Sequence, residues 1–343
     1  MTGTARRVTS ADVAREAGVS RATVSYVLND TPHQKIPQQT RERVLEAAQR
    51  LAYSPSPAAR SLRNGRSDLV LGVLKVGPIG SVVGALLNAM STRFGTDGLT
   101  FAVHLHSPGL RPVSDVWKAV TPAAVVVLSG LDAAEQADLQ RSGTPVLVSL
   151  SPAFTPHPLL DGSGTRVVCV EYASRAAAAL QVEHLVATGH RRIAVVTLTD
   201  PQVRQLAEGR LDAALEAAHE AGLPAPHVVE VADDSPQAVA AAVRTWQAEG
   251  VTGVVTYNDE VAMAVLSAAR DAGLRVPEDL AVIGLDDLPA ARSAQPPLTT
   301  VGLDAEALAD FVGRSVAAVL AGDPDVPEEP TTGFAHLVRR ASA

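Results

Sequence analysis

TSADVAREAGVSRATVSYVLND, residues 9–30, holds two short amphipathic patterns on either side of one glycine. Thr9 can cap the first, with Asp12 three residues on in the capping-box position. Val13, Ala14 and Ala17 supply an inward face, and Gly18 stands where a helix commonly ends on a left-handed residue. Only Val19 intervenes before Ser20, which caps a second helix over SRATVSYVLN. That helix buries Val24, Val27 and Leu28 and turns Arg21, Ala22, Ser25 and Tyr26 the other way. The pattern is a helix-turn-helix, whose second helix enters the major groove N-terminal end first. A third helix, PQQTRERVLEAAQRLAY, spaces Val44, Ala48 and Leu51 at i, i+4 and i+7 to close the core. A small three-helix packing unit with no nucleic-acid role would share this spacing, so charge has to arbitrate.

The chain has 343 residues and a net charge of −8, but the average hides a split. Residues 1–66 carry eleven Arg or Lys against five Asp or Glu, whereas the other 277 carry 18 against 32. A basic head on an acidic body suggests a polyanion-binding module joined to something else. The length exceeds what one core usually supports, so at least two domains are expected. A single Cys, Cys169, excludes a disulfide framework and Cys-cluster zinc sites. No stretch reaches eighteen apolar residues, and no apolar run follows the basic N-terminus, so a cytoplasmic protein without membrane association is expected.

After the head comes SPSPAARSLRNGRS, residues 54–67. Ser56 and Pro57 read as N-cap and N1, and Asn64-Gly65 as a stop. The two turns between them are too few for a helix to persist alone, since the marginal length is roughly 12–15 residues. The segment is therefore either a helix that needs a partner surface, with Ala58, Ala59 and Leu62 on its apolar face, or an ordinary linker.

Beyond Ser67, apolar runs alternate with helical stretches. Strands are read at 69–76, 100–106, 123–128 and 145–150, with helices near 81–95, 112–119 and 132–142. A Pro/Gly-rich stretch, SPAFTPHPLLDGSGT, breaks the rhythm. A second series has strands at 167–170, 193–198, 228–231, 253–257 and 280–285, with helices near 174–188, 203–221, 236–249 and 259–272. Two such series predict two parallel-sheet lobes, with a ligand beyond the carboxyl ends of the strands.

VTSADVAREAGVSRATVSYVLND followed by TRERVLEAAQRLAYSPSPAARSLRNGRS closely resembles the head and hinge of the lactose-repressor family of bacterial regulators. In the body, VEHLVATGHRRIAVV, RLDAALEAAHEAGL, YNDEVAMAVLSAARDAGLRVPEDLAVIGLDD and QPPLTTVGLDAEALADFVG are similar to the family's effector domain, itself like a periplasmic sugar-binding protein. The resemblance implies an all-α helix-turn-helix head (1–54), a hinge (55–66) that becomes helical only on DNA, and a two-lobed α/β body (67–343). It implies crossings between lobes near 163, 290 and 324, which puts 67–163 and 290–324 in lobe one and 164–289 and 325–343 in lobe two. Helix 304–321 would then return to the first lobe.

The resemblance also assigns roles. Thr9, Ser20, Arg21, Ala22, Thr23, Ser25, Tyr26, Asn29, Thr40, Ala59, Arg60, Leu62 and Arg63 are the expected DNA contacts. Among them Arg21, Ala22 and Tyr26 hold base-reading positions, and Leu62 is the minor-groove wedge. Arg210, twelve residues before Gly222, together with Asn258 and Asp286 after two strands, are the expected effector contacts. Read without the family, Arg210 is equally a solvated helix arginine, Asn258 a helix cap and Asp286 a turn cap.

Several positions depart from the family pattern. Tyr26 replaces a common arginine, removing a bidentate guanine contact. Pro37 replaces a capping Ser, and the turn DTPHQKIP is about two residues longer than usual. The first lobe has GPIGSVVGALL where a polar, aromatic-bearing segment is common, and aromatics are only 3% of the chain. The expected partners are a near-palindromic double-stranded DNA operator, a small effector such as a sugar or related metabolite, and a second copy of the chain, with no cofactor. The expected activity is transcriptional regulation, more often repression, and not catalysis. Three alternatives stay open: a regulator without an effector, a cytoplasmic small-molecule-binding protein, and an enzyme of the same fold, for which His104-x-His106 is the one imaginable metal pair. No GxSxG, P-loop or CxxC supports an enzyme.

Overall fold

The computed structural model describes residues 8–28, 36–53, 67–75, 80–106, 113–128, 131, 133–141, 144, 146–150, 166–170, 172–201, 203–232, 236–328, 330 and 334–343. The chain divides into two compact units, 1–67 and 68–343.

The head contains α1 (Ser10–Ala17), α2 (Arg21–Leu28) and α3 (Gln38–Arg50). Asp12 closes the entrance to α1, its carboxylate accepting from the Thr9 N–H at 3.0 Å and the Thr9 hydroxyl at 2.6 Å. Gly18 leaves α1 at φ 66°, ψ 39°, and the Val19 N–H then reaches the Ala14 carbonyl at 3.0 Å. Ser20 Oγ accepts from the Thr23 N–H at 3.1 Å and so starts α2. Val13, Val24 and Val44, one from each helix, are fully buried against one another with Ala47. Pro37 stands at the N-cap of α3 and gives it no side-chain cap, as the Ser-to-Pro departure implied.

In the body, β1 (Leu69–Lys75), α4 (Ser81–Thr96), β2 (Thr100–His106), α5 (Val113–Val120), β3 (Ala124–Val127), α6 (Ala133–Arg141), β4 (Val146–Ser149) and β5 (Arg166–Cys169) build the first sheet. Its order is β2-β1-β3-β4-β5, all parallel. After α7 (Tyr172–Ala187) come β6 (Ile193–Leu198), α8 (Arg204–Glu220), β7 (His227–Val231), α9 (Pro236–Glu249), β8 (Gly253–Thr256), α10 (Asp259–Asp271) and β9 (Ala281–Leu285). A short 3-10 turn (Pro289–Ser293), β10 (Thr299–Leu303), α11 (Ala305–Ala321) and β11 (Ala335–Val338) complete the order. The second sheet runs β11-β10-β9-β8-β6-β7, parallel except for the β10–β11 pair. Central strands such as β3, β8 and β9 are buried end to end, as parallel strands covered by helices on both faces must be.

All three lobe boundaries differ from expectation. Strand β5 pairs with β4, Val146 opposite Arg166 and Ser149 opposite Cys169, so the first lobe continues past 163 to about residue 170. The Pro/Gly-rich stretch before β5 imitates a domain break, but β5 satisfies the edge that β4 would otherwise leave open. The crossing expected near 290 is likewise later. Leu298, Thr299, Thr300 and Val301 are fully buried, and β10 pairs with β9 in the second sheet, so the chain leaves that lobe after Leu303. Helix α11 does return to the first lobe, where Phe311, Val312 and Val316 pack with Val70, Met90 and Phe94. Phe334 still packs edge-on against Phe311 at 5.7 Å, which puts the last crossing at 334–335 and not near 324. There the two crossover strands lie side by side, with Leu303 opposite Ala335 and the Asp304 N–H bonded to the Phe334 carbonyl at 2.8 Å.

Candidate DNA-reading helix and effector cleft

On the head, Arg21, Ala22 and Tyr26 are exposed along α2, with Thr23 and Ser25 half-buried beside them. Thr9 and Ser20 are exposed at the starts of α1 and α2, and Thr40 is half-buried in the first turn of α3. On α2 these side chains take the outer face because Val24 and Val27 fix the inner one. Asn29, Ala59, Arg60, Leu62 and Arg63, and with them the whole hinge, lie outside the described residues.

In the second lobe the three expected effector residues converge at the carboxyl ends of the strands. Arg210, on α8, is only 8% exposed and is not a solvated helix arginine. Its Nη1 donates to the Tyr257 carbonyl at 2.8 Å and its Nη2 to Asp286 Oδ1 at 3.1 Å. The guanidinium also lies 4.8 Å from the centre of the Tyr257 ring, a cation–π contact. Its Nε is buried without a hydrogen-bond partner. Burial pushes the Asp286 carboxyl up, and the Arg210 charge pulls it back down. Asp286 and Asp287 are both left-handed non-glycine residues, at φ 111° and 46°. Each such residue costs on the order of 1–3 kcal/mol and is held only where its surroundings enforce it. Asn258, next to Tyr257, caps α10, its Oδ1 accepting from the Val261 N–H at 2.9 Å. The cap reading of Asn258 is therefore correct, and its Nδ2 lies 3.5 Å from Glu260.

Three further polar residues surround this site. Asp259 is fully buried and accepts from the Thr300 hydroxyl at 2.5 Å and the Leu288 N–H at 2.6 Å. Arg340 donates to Asp287 at 2.5 Å and to the Leu298 carbonyl at 2.8 Å. Gln181, on α7, donates to the carbonyls of Thr256 at 3.0 Å and Gly284 at 2.8 Å. The sequence offered Asn258 as a helix cap but gave no signal for Asp259, whose partner Thr300 lies 41 positions away on β10. Of the aromatic residues in the second half of the body, Trp246 is core of the second lobe.

Comparison with known proteins places this architecture. The family described as bacterial regulatory proteins, lacI family, matches residues 9–56, and the periplasmic binding protein-like domain matches residues 182–343. The HTH-type transcriptional regulator MalR of Streptomyces coelicolor is 30% identical, over 97% of this chain and 95% of its own. The chain belongs to the lacI family. It is accordingly a DNA-binding transcriptional regulator with a helix-turn-helix head. The HTH-type transcriptional regulator CelR of Thermobifida fusca is 31% identical, over 92% of this chain and 91% of its own. Among solved structures, the transcriptional regulator CelR–cellobiose complex has a TM-score of 0.65 at 26% identity, covering 98% of this chain and all of that one. The lac repressor dimer bound to operator and the anti-inducer ONPF has a TM-score of 0.76 at 24% identity, over 98% and 99% of the two chains, which shows the shared fold.

Proposed function

We propose that this lacI-family regulator represses transcription in the cytoplasm, and that a small polar molecule bound beside Arg210 and Asp286 changes its affinity for an operator. The observation that carries the effector reading is the buried Arg210 guanidinium, with one N–H unpartnered and Asp286 at its fork. A guanidinium and a carboxylate together offer both donors and acceptors, the pair that vicinal hydroxyls require. Relatives support a sugar, since CelR is known in complex with cellobiose.

Operator recognition is assigned to α2, with Arg21, Ala22 and Tyr26 toward the bases and Thr9, Ser20, Thr23, Ser25, Asn29 and Thr40 toward the backbone. In the hinge, Leu62 is assigned to the minor groove, with Ala59 beside it and Arg60 and Arg63 toward the phosphates. Two copies would read two half-sites of a near-palindrome, because protein two-fold symmetry is mirrored in the DNA. For the dimer, the support is Val103 and Leu105, which stand 36% and 47% exposed on β2, the edge strand of the first sheet. Exposed apolar residues on an open edge mark a pairing surface.

Gel-shift titration of fragments from the region upstream of the gene tests the reading, with and without maltose, cellobiose and galactose. One fragment is expected to shift and one sugar to alter the shift. A protein that binds none of these fragments would overturn the repressor assignment.

A further inference from the structure

Asp259 is the first residue of α10, yet it does not cap that helix, because Asn258 already does. Its carboxylate instead joins three segments that are far apart in sequence. Oδ2 accepts from the N–H of Leu288, which directly follows the left-handed pair Asp286–Asp287. Oδ1 accepts from the hydroxyl of Thr300, on the strand that leaves the second sheet for the first lobe. Gly284 makes room for it, since a Cβ there would overlap Oδ1. The third segment is α10 itself, with Asn258 one residue away. Burying a carboxylate is unfavourable unless its oxygens are satisfied, and an acidic residue in a first helical turn ordinarily gains its dipole interaction from the solvent side. A fully buried acid bonded to two other segments is built for those segments.

We propose that Asp259 is a positioning residue of the cleft, whose carboxyl ties the turn presenting Asp286 to the strand connecting the lobes. This rests on the reading that Arg210 and Asp286 hold the effector. Through this joint, a ligand that shifts Asp286 also pulls on β10, the route to the first lobe.

The joint has a pH signature. Burial holds the Asp259 carboxyl up at about 6, against an ordinary 3.8, with Asp286 and Asp287 on the turn adding to the rise. The Thr300 and Leu288 bonds oppose it. Glu260 is its neighbour on α10, Arg210 is engaged with Asp286, and Arg340 and Arg292 face Asp287. A raised acid makes the folded state bind the proton more tightly than the unfolded one. The stability it contributes is complete below about 3.8 and is lost as pH rises through about 6. Asp286 is shifted the same way and contributes with the same sign.

The test is amide hydrogen exchange across residues 286–303 of the full chain, corrected for intrinsic rates and followed through this window. Asp259→Asn keeps the shape, accepting from Leu288 through its oxygen and donating to Thr300 Oγ. It is expected to match wild-type protection at low pH and to lose the wild-type decline, apart from the share belonging to Asp286. Asp259→Ala should lose about tenfold in protection at Leu288 and along β10, as expected for one missing buried bond. Thr300→Val should loosen β10 and spare Leu288, and it decides the matter if the alanine variant does not fold. Wild-type protection in Asp259→Ala, or the same pH profile in wild type and Asp259→Asn, would overturn the proposal. Thermal shifts with maltose and cellobiose are measured in parallel. Should neither sugar stabilise the wild type while the exchange results hold, the effector reading fails for these sugars and the joint stands.

Discussion

Arg210 and Asp286 show how one pair of side chains serves two demands. The guanidinium holds the Tyr257 carbonyl and Asp286 together, so its removal would leave a carboxylate buried and unpaired. Breaking such a pair costs about 3–5 kcal/mol, and Arg210→Ala would confound loss of binding with loss of stability. Asp286→Asn separates them. The amide oxygen still accepts from Arg210, so denaturant unfolding should stay within about 1 kcal/mol of wild type. Without the carboxylate, a sugar that binds the wild type should bind about tenfold to a hundredfold more weakly by calorimetry. Unchanged affinity would remove Asp286 from the site.

Among elements, the clearest commitment is the turn between α1 and α2. Gly18 is left-handed and nothing lies within 4 Å of where a Cβ would be, so Gly18→Ala meets no steric obstacle beyond its own backbone. The cost should be about 1–2 kcal/mol, read as a lower melting point of the head by far-ultraviolet circular dichroism. An alanine variant as stable as wild type would mean that the turn has a different geometry. The head was legible because its capping residues, its glycine and its apolar spacing are all local. The strands from β1 to β9 were legible for the same reason, being short branched runs between helices. Strands β10 and β11 were not, because TTVGL and AHLV carry little signal until β9 offers β10 an edge and β10 offers one to β11. The same omission hid Asp259, whose burial depends on Thr300. The lobe boundaries were missed because proline and glycine mark where a chain turns, and not which sheet it joins next.

At the scale of the whole molecule, charge and symmetry make the testable statements. The surplus of basic residues lies in the first 66 positions and the deficit in the rest, so operator affinity should fall steeply with salt. Each phosphate neutralised contributes a slope of roughly −0.9 in log K against log salt. A slope near zero between about 50 and 200 mM would contradict a polyanion interface. Leu105→Glu puts a charge on the open edge of β2, and light scattering should then find a monomer in place of a dimer. A variant that remains dimeric would move the interface off this strand.

The late return of α11 to the first lobe also sets an order in time. Part of the apolar face that includes Val70, Met90 and Phe94 is covered by Phe311, Val312 and Val316 of α11, which emerge from the ribosome some 140 residues after β5 ends at Cys169. At about 5–20 residues per second, that part of the face waits roughly 7–28 s uncovered. Among the described residues, the core of the head ends at Tyr53. A nascent chain of this regulator therefore carries a finished head while its first lobe still presents a bare surface, a surface that chaperones would shield until the closing helix arrives.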